Sequence, residues 1–332
     1  MRAQSSATTS TRIAVGTPAP DNTSAGTPSP GRSAPGSAAG PAQAALGVVA
    51  FSLTFPATVW GLEGFGPWAL VSVRSVLAAL IAGGALLAMG VPPRERSRAW
   101  GRVPLPARRH RPGLAVVAAG VVLGFPLLTT LALRTSTTAH AAVVVGLLPL
   151  TTALLSALRV GARPSRTFWA AALAGAAAVV AFTVQQSGGA LTTADLYLFG
   201  ALLVCAAGYT EGGRLARELP GWQVIGWALV LCLPLTVPVA AVALVHQPPH
   251  LGVHSVAGLL WVAAGSQFLG LVVWYRGMAA IGIPKASQLQ LAQPLLTLVW
   301  SVLLLGEHLT PAAPLTAAAV LVCIAVTQRA RG

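Results

Sequence analysis

From about residue 42 onward, apolar residues come in runs of roughly 20, broken by short polar stretches. A run of that length, coiled as an α-helix at 1.5 Å per residue, spans the hydrocarbon core of a bilayer. Ten runs are read: 43–61, 67–89, 113–133, 138–158, 167–186, 194–212, 221–245, 256–276, 285–305 and 311–328. The pattern predicts an all-α, polytopic integral membrane protein. None of the connecting loops is large enough for a soluble domain; the longest, 90–112, is mostly proline and arginine. Residues 1–40 break the pattern. They are Ser, Thr, Pro, Gly and Ala with repeated Thr-Pro and Ser-Pro steps, which cannot bury a core, so a disordered cytoplasmic tail is expected. The tail has no apolar segment of the signal-peptide kind, so the first helix is expected to act as an uncleaved insertion signal.

The apolar pattern repeats. Shifted by 145 residues, Gly113–Gly120 falls on Gly258–Gly265, Pro149 on Pro294, Thr152 on Thr297, Ser156 on Ser301 and Gly161 on Gly306. Ala and Leu matches are cheap in such a chain, and the Pro, Thr, Ser and Gly matches carry the weight. The unit is five helices, an odd number, so the second copy enters the membrane with opposite polarity. Two inverted five-helix repeats with a site near the midplane is a design of secondary transporters.

Composition and charge agree with this reading. Hydrophobic residues make up 55% of the 332 and charged residues only 8%, against about 25% charged in soluble domains. The net charge of +14 raises the question of nucleic acid. However, no basic run is interleaved with stacking aromatics, and the arginines sit between apolar spans. With the N-terminus inside, 19 of the 21 cationic residues fall on inside segments, which places both termini in the cytoplasm and the protein in the plasma (inner) membrane. Cys205, Cys232 and Cys323 lie inside apolar runs without metal-type spacing and read as small buried hydrophobes.

Candidate chemistry concentrates in Trp274–Glu307, WYRGMAAIGIPKASQLQLAQPLLTLVWSVLLLGE. The eighth helix is expected to end near Tyr275-Arg276. A turn with Gly282, Pro284 and Lys285 follows, then a helix with Pro294 at its middle. Ser287, Gln290, Pro294, Thr297 and Ser301 share one face, with Gln293 on its flank. Prolines 149 and 294 each remove a backbone N–H and free a carbonyl a turn earlier. The functional reading is a cavity wall that hydrogen-bonds a polar substrate; the alternative is glue between helices. Tyr209, Gln267, Trp274 and Tyr275 are further substrate-binding candidates, as is Thr152. Arg74 lies about 10 Å along the second helix, where an arginine costs about 2.5–3.5 kcal/mol. It is read either as an anchor for a substrate carboxylate or as a structural arginine bonded to helix-end carbonyls. Glu307, Lys285, Arg74, Pro149 and Pro294 are the coupling or gating candidates. Lys285 and His140 occupy equivalent positions in the two repeats.

Three blocks resemble the EamA-like ten-helix branch of the drug/metabolite transporter superfamily: Arg74 in ALVSVRSVLAAL, LLPLTTALLSALRVGARPS at 147–165, and 274–310. The resemblance spans 45–328 and implies two EamA-like units, 41–186 and 194–328, around a central cavity. Helices one, three, four, six, eight and nine are expected to line it. It implies a secondary transporter, often an exporter of amino acids, metabolites or drugs. One departure stands out: Gly161-Ala162 replaces the Gly-Glu common in the first repeat, so Glu307 alone keeps the acid.

No Ser/His/Asp grouping and no phosphate-binding glycine loop is found, and His246, His250 and His254 sit around Pro248-Pro249, which disfavours a helical metal face. An enzyme, a cofactor and a metal are therefore not expected. The reading is efflux of a small metabolite, amino-acid-like compound or drug by alternating access, with protons as candidate coupling ion. A metabolite importer and a non-transporting membrane sensor are the alternatives.

Overall fold

The computed structural model describes residues 39–89, 106–159, 165–186, 189–281, 286 and 289–329. The expected N-terminal tail up to residue 38, most of the arginine-rich loop, and Lys285 and Ser287 lie outside the described residues. The chain forms α1 (Ala39–Leu62), α2 (Pro67–Ala88), α3 (Arg108–Ala132), α4 (Thr138–Arg159), α5 (Arg166–Gln185), α6 (Thr193–Leu215), α7 (Gly221–His246), α8 (Val253–Ile281), α9 (Ala292–Leu305) and α10 (Ala312–Arg329). The first eight are long and apolar enough to cross a membrane, and α9 and the Ala312–Cys323 part of α10 are shorter apolar helices. Helix α8 continues past the expected end at Arg276 to Ile281. Met278-Ala279-Ala280 are good helix formers, and Gly282 is the first breaker after them.

Proline interrupts the helices at membrane depth. α4 is two segments, Thr138–Val145 and Leu148–Arg159, joined by a turn at Gly146-Leu147. Pro149 is therefore the second residue of the second segment, where a missing N–H costs little. The same happens at the repeat position. Leu291 forms a turn and α9 restarts at Ala292, which puts Pro294 in the first turn rather than at mid-helix as expected. α1 also breaks at Leu53, between Ala39–Ser52 and Thr54–Leu62. α3 and α8 each widen into a π-helical stretch, Ala118–Gly124 and Trp261–Gly270. These two stretches overlie one another at the 145-residue shift found in the sequence.

The packing follows the repeat. α2 lies against α7, α4 against α9, α5 against α10, α1 against α8 and α3 against α6. Moving each partner five helices along returns the same set of pairs, as a two-fold axis in the membrane plane requires. Close approach occurs where side chains are small. Gly146 stands where an added Cβ would lie 3.2 Å from the Pro294 ring, so the α4 break touches the α9 break.

The chain ends of the helices separate by charge. Arg108, Arg109, Arg111, Arg159, Arg166, Arg214, Arg217 and Arg276 lie at one end of the bundle; the far end, with loops 63–66, 133–137, 189–192, 247–252 and 306–311, carries Arg134 among the described residues.

Candidate substrate cavity and gates

The broken helices leave carbonyls without their helical donors, and polar side chains from other helices fill them. Pro56 cannot donate to the Ser52 carbonyl one turn earlier. Thr297 Oγ1 donates to that oxygen instead at 3.0 Å, and Trp300 Nε1 donates to Ser52 Oγ at 3.0 Å. Pro126 likewise cannot serve the Val122 carbonyl, which accepts from Gln267 Nε2 at 3.1 Å. Val122 and Gln267 are themselves 145 residues apart, so the two equivalent positions meet near the pseudo-two-fold axis. Thr54 and Ser266 hydroxyls add a contact at 2.7 Å between α1 and α8.

Arg74 is drawn into this network. Its Nε donates to Gln267 Oε1 at 2.6 Å, and Gln267 Nε2 also reaches Ser75 Oγ at 3.2 Å. Arg74 is 3% exposed. The expected helix-end carbonyl partner is replaced by a neutral side-chain amide, because Gln267 projects from the π-helical stretch of α8 directly at α2. No carboxylate forms an ion pair with Arg74 among the described residues. Beside it lies a cavity of about 40 Å³, walled by Thr54, Arg74, Tyr209, Ser266, Gln267 and Gln293 among others. α2 thus joins the six helices expected at the cavity.

A second, smaller void of about 10 Å³ shares Phe55, Leu148 and Gln293 with the first and is bordered by Gly146, Pro149, Gln290, Pro294 and Thr297. The α4 and α9 breaks therefore face one another across this space. Val145 and Gln290, each four residues before a proline, are among its lining residues. Gln290 is 3% exposed and its Nε2 has no hydrogen-bond partner among the described residues. A buried donor left this way costs about 1–3 kcal/mol, a cost that a bound acceptor would remove. Together the voids have room for only a few waters.

Other candidates sit behind this wall. Trp274 packs against Phe51 and Tyr209 at ring-centroid distances of 6.1 and 6.3 Å. Tyr275 is fully buried, and an added Cβ on Gly212 would collide with its hydroxyl. Thr152 is buried, and Ser301 Oγ donates to the Leu298 carbonyl at 2.9 Å. Among the described residues the Trp274 Nε1 and the Tyr275 and Thr152 hydroxyls have no hydrogen-bond partner. These three residues and Ser301 are not on the walls of the two voids.

Each end of the bundle has its own polar arrangement. At the far end Gly306 closes α9 in the left-handed conformation, φ 65° and ψ 22°, which turns the chain back and aims Glu307 at the other repeat. The two Glu307 carboxylate oxygens accept from the Thr138 N–H at 2.8 Å and the Ala139 N–H at 3.0 Å. A residue of the second repeat thus caps the N-terminus of α4 in the first, as a negative charge at a helix start favours. Beside it, a cavity of about 250 Å³ is lined by His140, Phe182, Asp195, His308 and neighbours. At the arginine-rich end a larger cavity, about 730 Å³, opens between α3, α4 and α6. There Glu211 pairs with Arg159 Nε at 2.7 Å and with Arg214 Nε at 3.0 Å, joining α4 to α6. The intrahelical Glu211–Arg214 pair is legible from its spacing; Arg159 is not.

The sequence reading missed the contact between His140 and Asp195, whose Nε2 and Oδ1 are 2.7 Å apart. Thr192-Thr193-Ala194-Asp195 carries the signature of a capping box, and the box forms, but nothing in the sequence brings His140 to it. Among the described residues no group of three His, Cys, Asp or Glu side chains is placed to hold a metal ion.

Comparison with known proteins gives a consistent picture. The EamA-like transporter family model matches twice, over 39–184 and 192–328. The chain is 41% identical over 284 residues, 86% of this chain and 95% of the relative, to the uncharacterized transporter YdeK of Bacillus subtilis (strain 168). It is 26% identical over 122 residues, 35% of this chain and 72% of the relative, to an uncharacterized transporter of Haemophilus influenzae. A solved crystal structure superposes with a TM-score of 0.59 at 21% identity, covering 88% of this chain and 98% of that one, a likeness of fold.

Proposed function

The chain belongs to the EamA-like transporter family, and from that premise we propose that it is a secondary exporter of small amphipathic metabolites bearing a carboxylate, such as amino-acid-like compounds. The observation that carries this is a pair of adjoining voids with under-used donors on their walls: the Arg74 guanidinium, which among the described residues bonds only the neutral amide of Gln267, and the Gln290 amide, which has no partner among them. An entering carboxylate supplies the missing acceptors, and a buried arginine pairs with it in bidentate fashion. Gln293, on the wall of both voids, Gln267 and Tyr209 complete the binding set, while Thr297, Ser301, Thr152, Trp274 and Tyr275 hold its shape.

Transport then proceeds by alternating access, with the units 41–186 and 194–328 rocking about the midplane. The arginine-rich end is cytoplasmic, as the charge bias of the loops demands, and its cavity of about 730 Å³ is the loading vestibule of an efflux protein. Glu307, bound to α4 across the repeats, is the latch of the outer gate. Protons are the coupling ion in this scheme, since the far end carries titratable groups and the chain has no nucleotide-binding loop. The test is flux in proteoliposomes against a metabolite panel with imposed pH gradients. Gln290→Leu with Gln293→Leu is expected to abolish flux of a substrate that the parent protein carries; unchanged flux from a normally folded variant removes the cavity from the mechanism.

A further inference from the structure

The far-end cavity holds a titratable pair that the substrate site does not use. Asp195 is 1% and His140 9% side-chain exposed. Asp195 Oδ2 accepts from the Thr192 backbone N–H and from Thr192 Oγ1, both at 2.8 Å. Its Oδ1 lies 2.7 Å from His140 Nε2. A carboxylate that accepts on both oxygens requires Nε2 to carry the hydrogen. Nδ1 is then the basic atom of the ring. It makes no hydrogen bond among the described residues, and the imidazole forms part of the cavity wall. Phe182 stacks on the ring at 5.5 Å and fixes its plane.

We propose that His140–Asp195 is a proton-loading site at the outer mouth, taking its proton on His140 Nδ1 from the external solution. This rests on the transporter reading above and names where its coupling ion binds. Proton transfer here breaks no other bond: the imidazole becomes an imidazolium, and Asp195 remains its counter-ion. Besides Asp195 from α6, the loop after α9 brings Glu307 and His308 to this region. Arg134 lies in the turn before α4, outside the cavity wall, and among the described residues α5 and α10 contribute Phe182 and Ala313 to that wall. The site is built into the gate. His140 sits in the first turn of α4, its backbone N–H bound to Thr137 Oγ1 at 3.1 Å, directly after the two N–H groups held by Glu307. A positive charge at a helix start opposes the macrodipole, so protonating His140 weakens the same α4 start that the Glu307 carboxylate caps through the Thr138 and Ala139 N–H groups.

The test is proton uptake by the purified full chain in lipid nanodiscs, read with an indicator dye in unbuffered solution as the pH is lowered from about 8 to about 5.5 across the histidine range. His308 shares the cavity, so all measurements use a His308→Gln parent. His140→Gln keeps a donor for Asp195 and is expected to take up about one proton fewer per chain. Asp195→Asn is expected to change the uptake curve, since it removes the counter-ion of the protonated ring. A folded His140→Gln chain with the parent's proton count overturns the proposal. Should that variant fail to fold, Asp195→Asn decides: an uptake curve that superimposes on the parent's overturns it equally. Uptake needs no substrate, so a result against the pair leaves the cavity assignment intact, and absence of flux leaves the titration readable.

Discussion

Replacing Gln267 by leucine removes the one side chain that holds Arg74. The structure gives the inventory of the loss: a charge-assisted bond at 2.6 Å to Arg74 and neutral bonds to Ser75 at 3.2 Å and Val122 at 3.1 Å. A hydrogen bond to a charged group contributes about 1.5–3 kcal/mol, and an interhelical polar contact in a membrane protein about 0.6 kcal/mol on average. The single substitution should therefore cost about 3–4 kcal/mol, more than a hundredfold in the folded-to-unfolded ratio at about 1.4 kcal/mol per decade. Most of that cost belongs to the stranded guanidinium. Adding Arg74→Met removes it, and exchanging both partners for apolar groups is close to neutral. The double-mutant cycle should then give a coupling of about 2 kcal/mol. The assay is reversible unfolding in mixed micelles titrated with SDS. Destabilisations that add to within about 0.5 kcal/mol would refute the claim that Arg74 depends on Gln267.

Three further outcomes follow from the geometry. Glu307→Gln keeps one acceptor for the α4 N-terminus and loses the other, with the charge; it should destabilise by about 1 kcal/mol, and a cysteine placed at Ser136 should react faster with a soluble maleimide than in the parent. Gly212→Ala drives a methyl into the Tyr275 hydroxyl, an overpacking that costs about 1–3 kcal/mol and lowers the melting temperature, while Gly212→Ala with Tyr275→Phe should recover part of it. The bond from His110 holds the Glu218 carboxyl below its usual range, with Arg109 and Arg214 adding attraction. The stability from this loop contact is complete above the ordinary carboxylate range and lost as pH falls through the lowered folded value, so Glu218→Gln should flatten the acid limb of the melting-temperature profile.

Much of the architecture was legible because bilayer physics leaves few options. Ten apolar runs could only be helices, and the matched Pro149 and Pro294 already pointed to paired special helices. What the sequence hid was how the prolines are relieved. A lone Pro294 reads as a kink at mid-helix; the turn at Leu291 makes it a first-turn residue, and it packs beside Gly146 of another helix, a contact that the linear sequence does not carry. The Gln290 and Gln293 face was readable from spacing. The partner of Arg74 was not, since Gln267 is 193 positions away and its aim depends on the π-helical stretch of α8. His140–Asp195 was hidden for the same reason: each looks like an ordinary helix-start residue until α4 and α6 are brought together.

The most direct test of the central claim, that Arg74 anchors a carboxylate in the cavity beside it, uses the double variant Arg74→Met with Gln267→Leu, which keeps the bundle packed without the charge. Counterflow in proteoliposomes across a panel of small metabolites should show the parent carrying one or more carboxylate-bearing compounds and the folded double variant carrying none of them. Equal counterflow of the same carboxylates by both proteins would contradict the account.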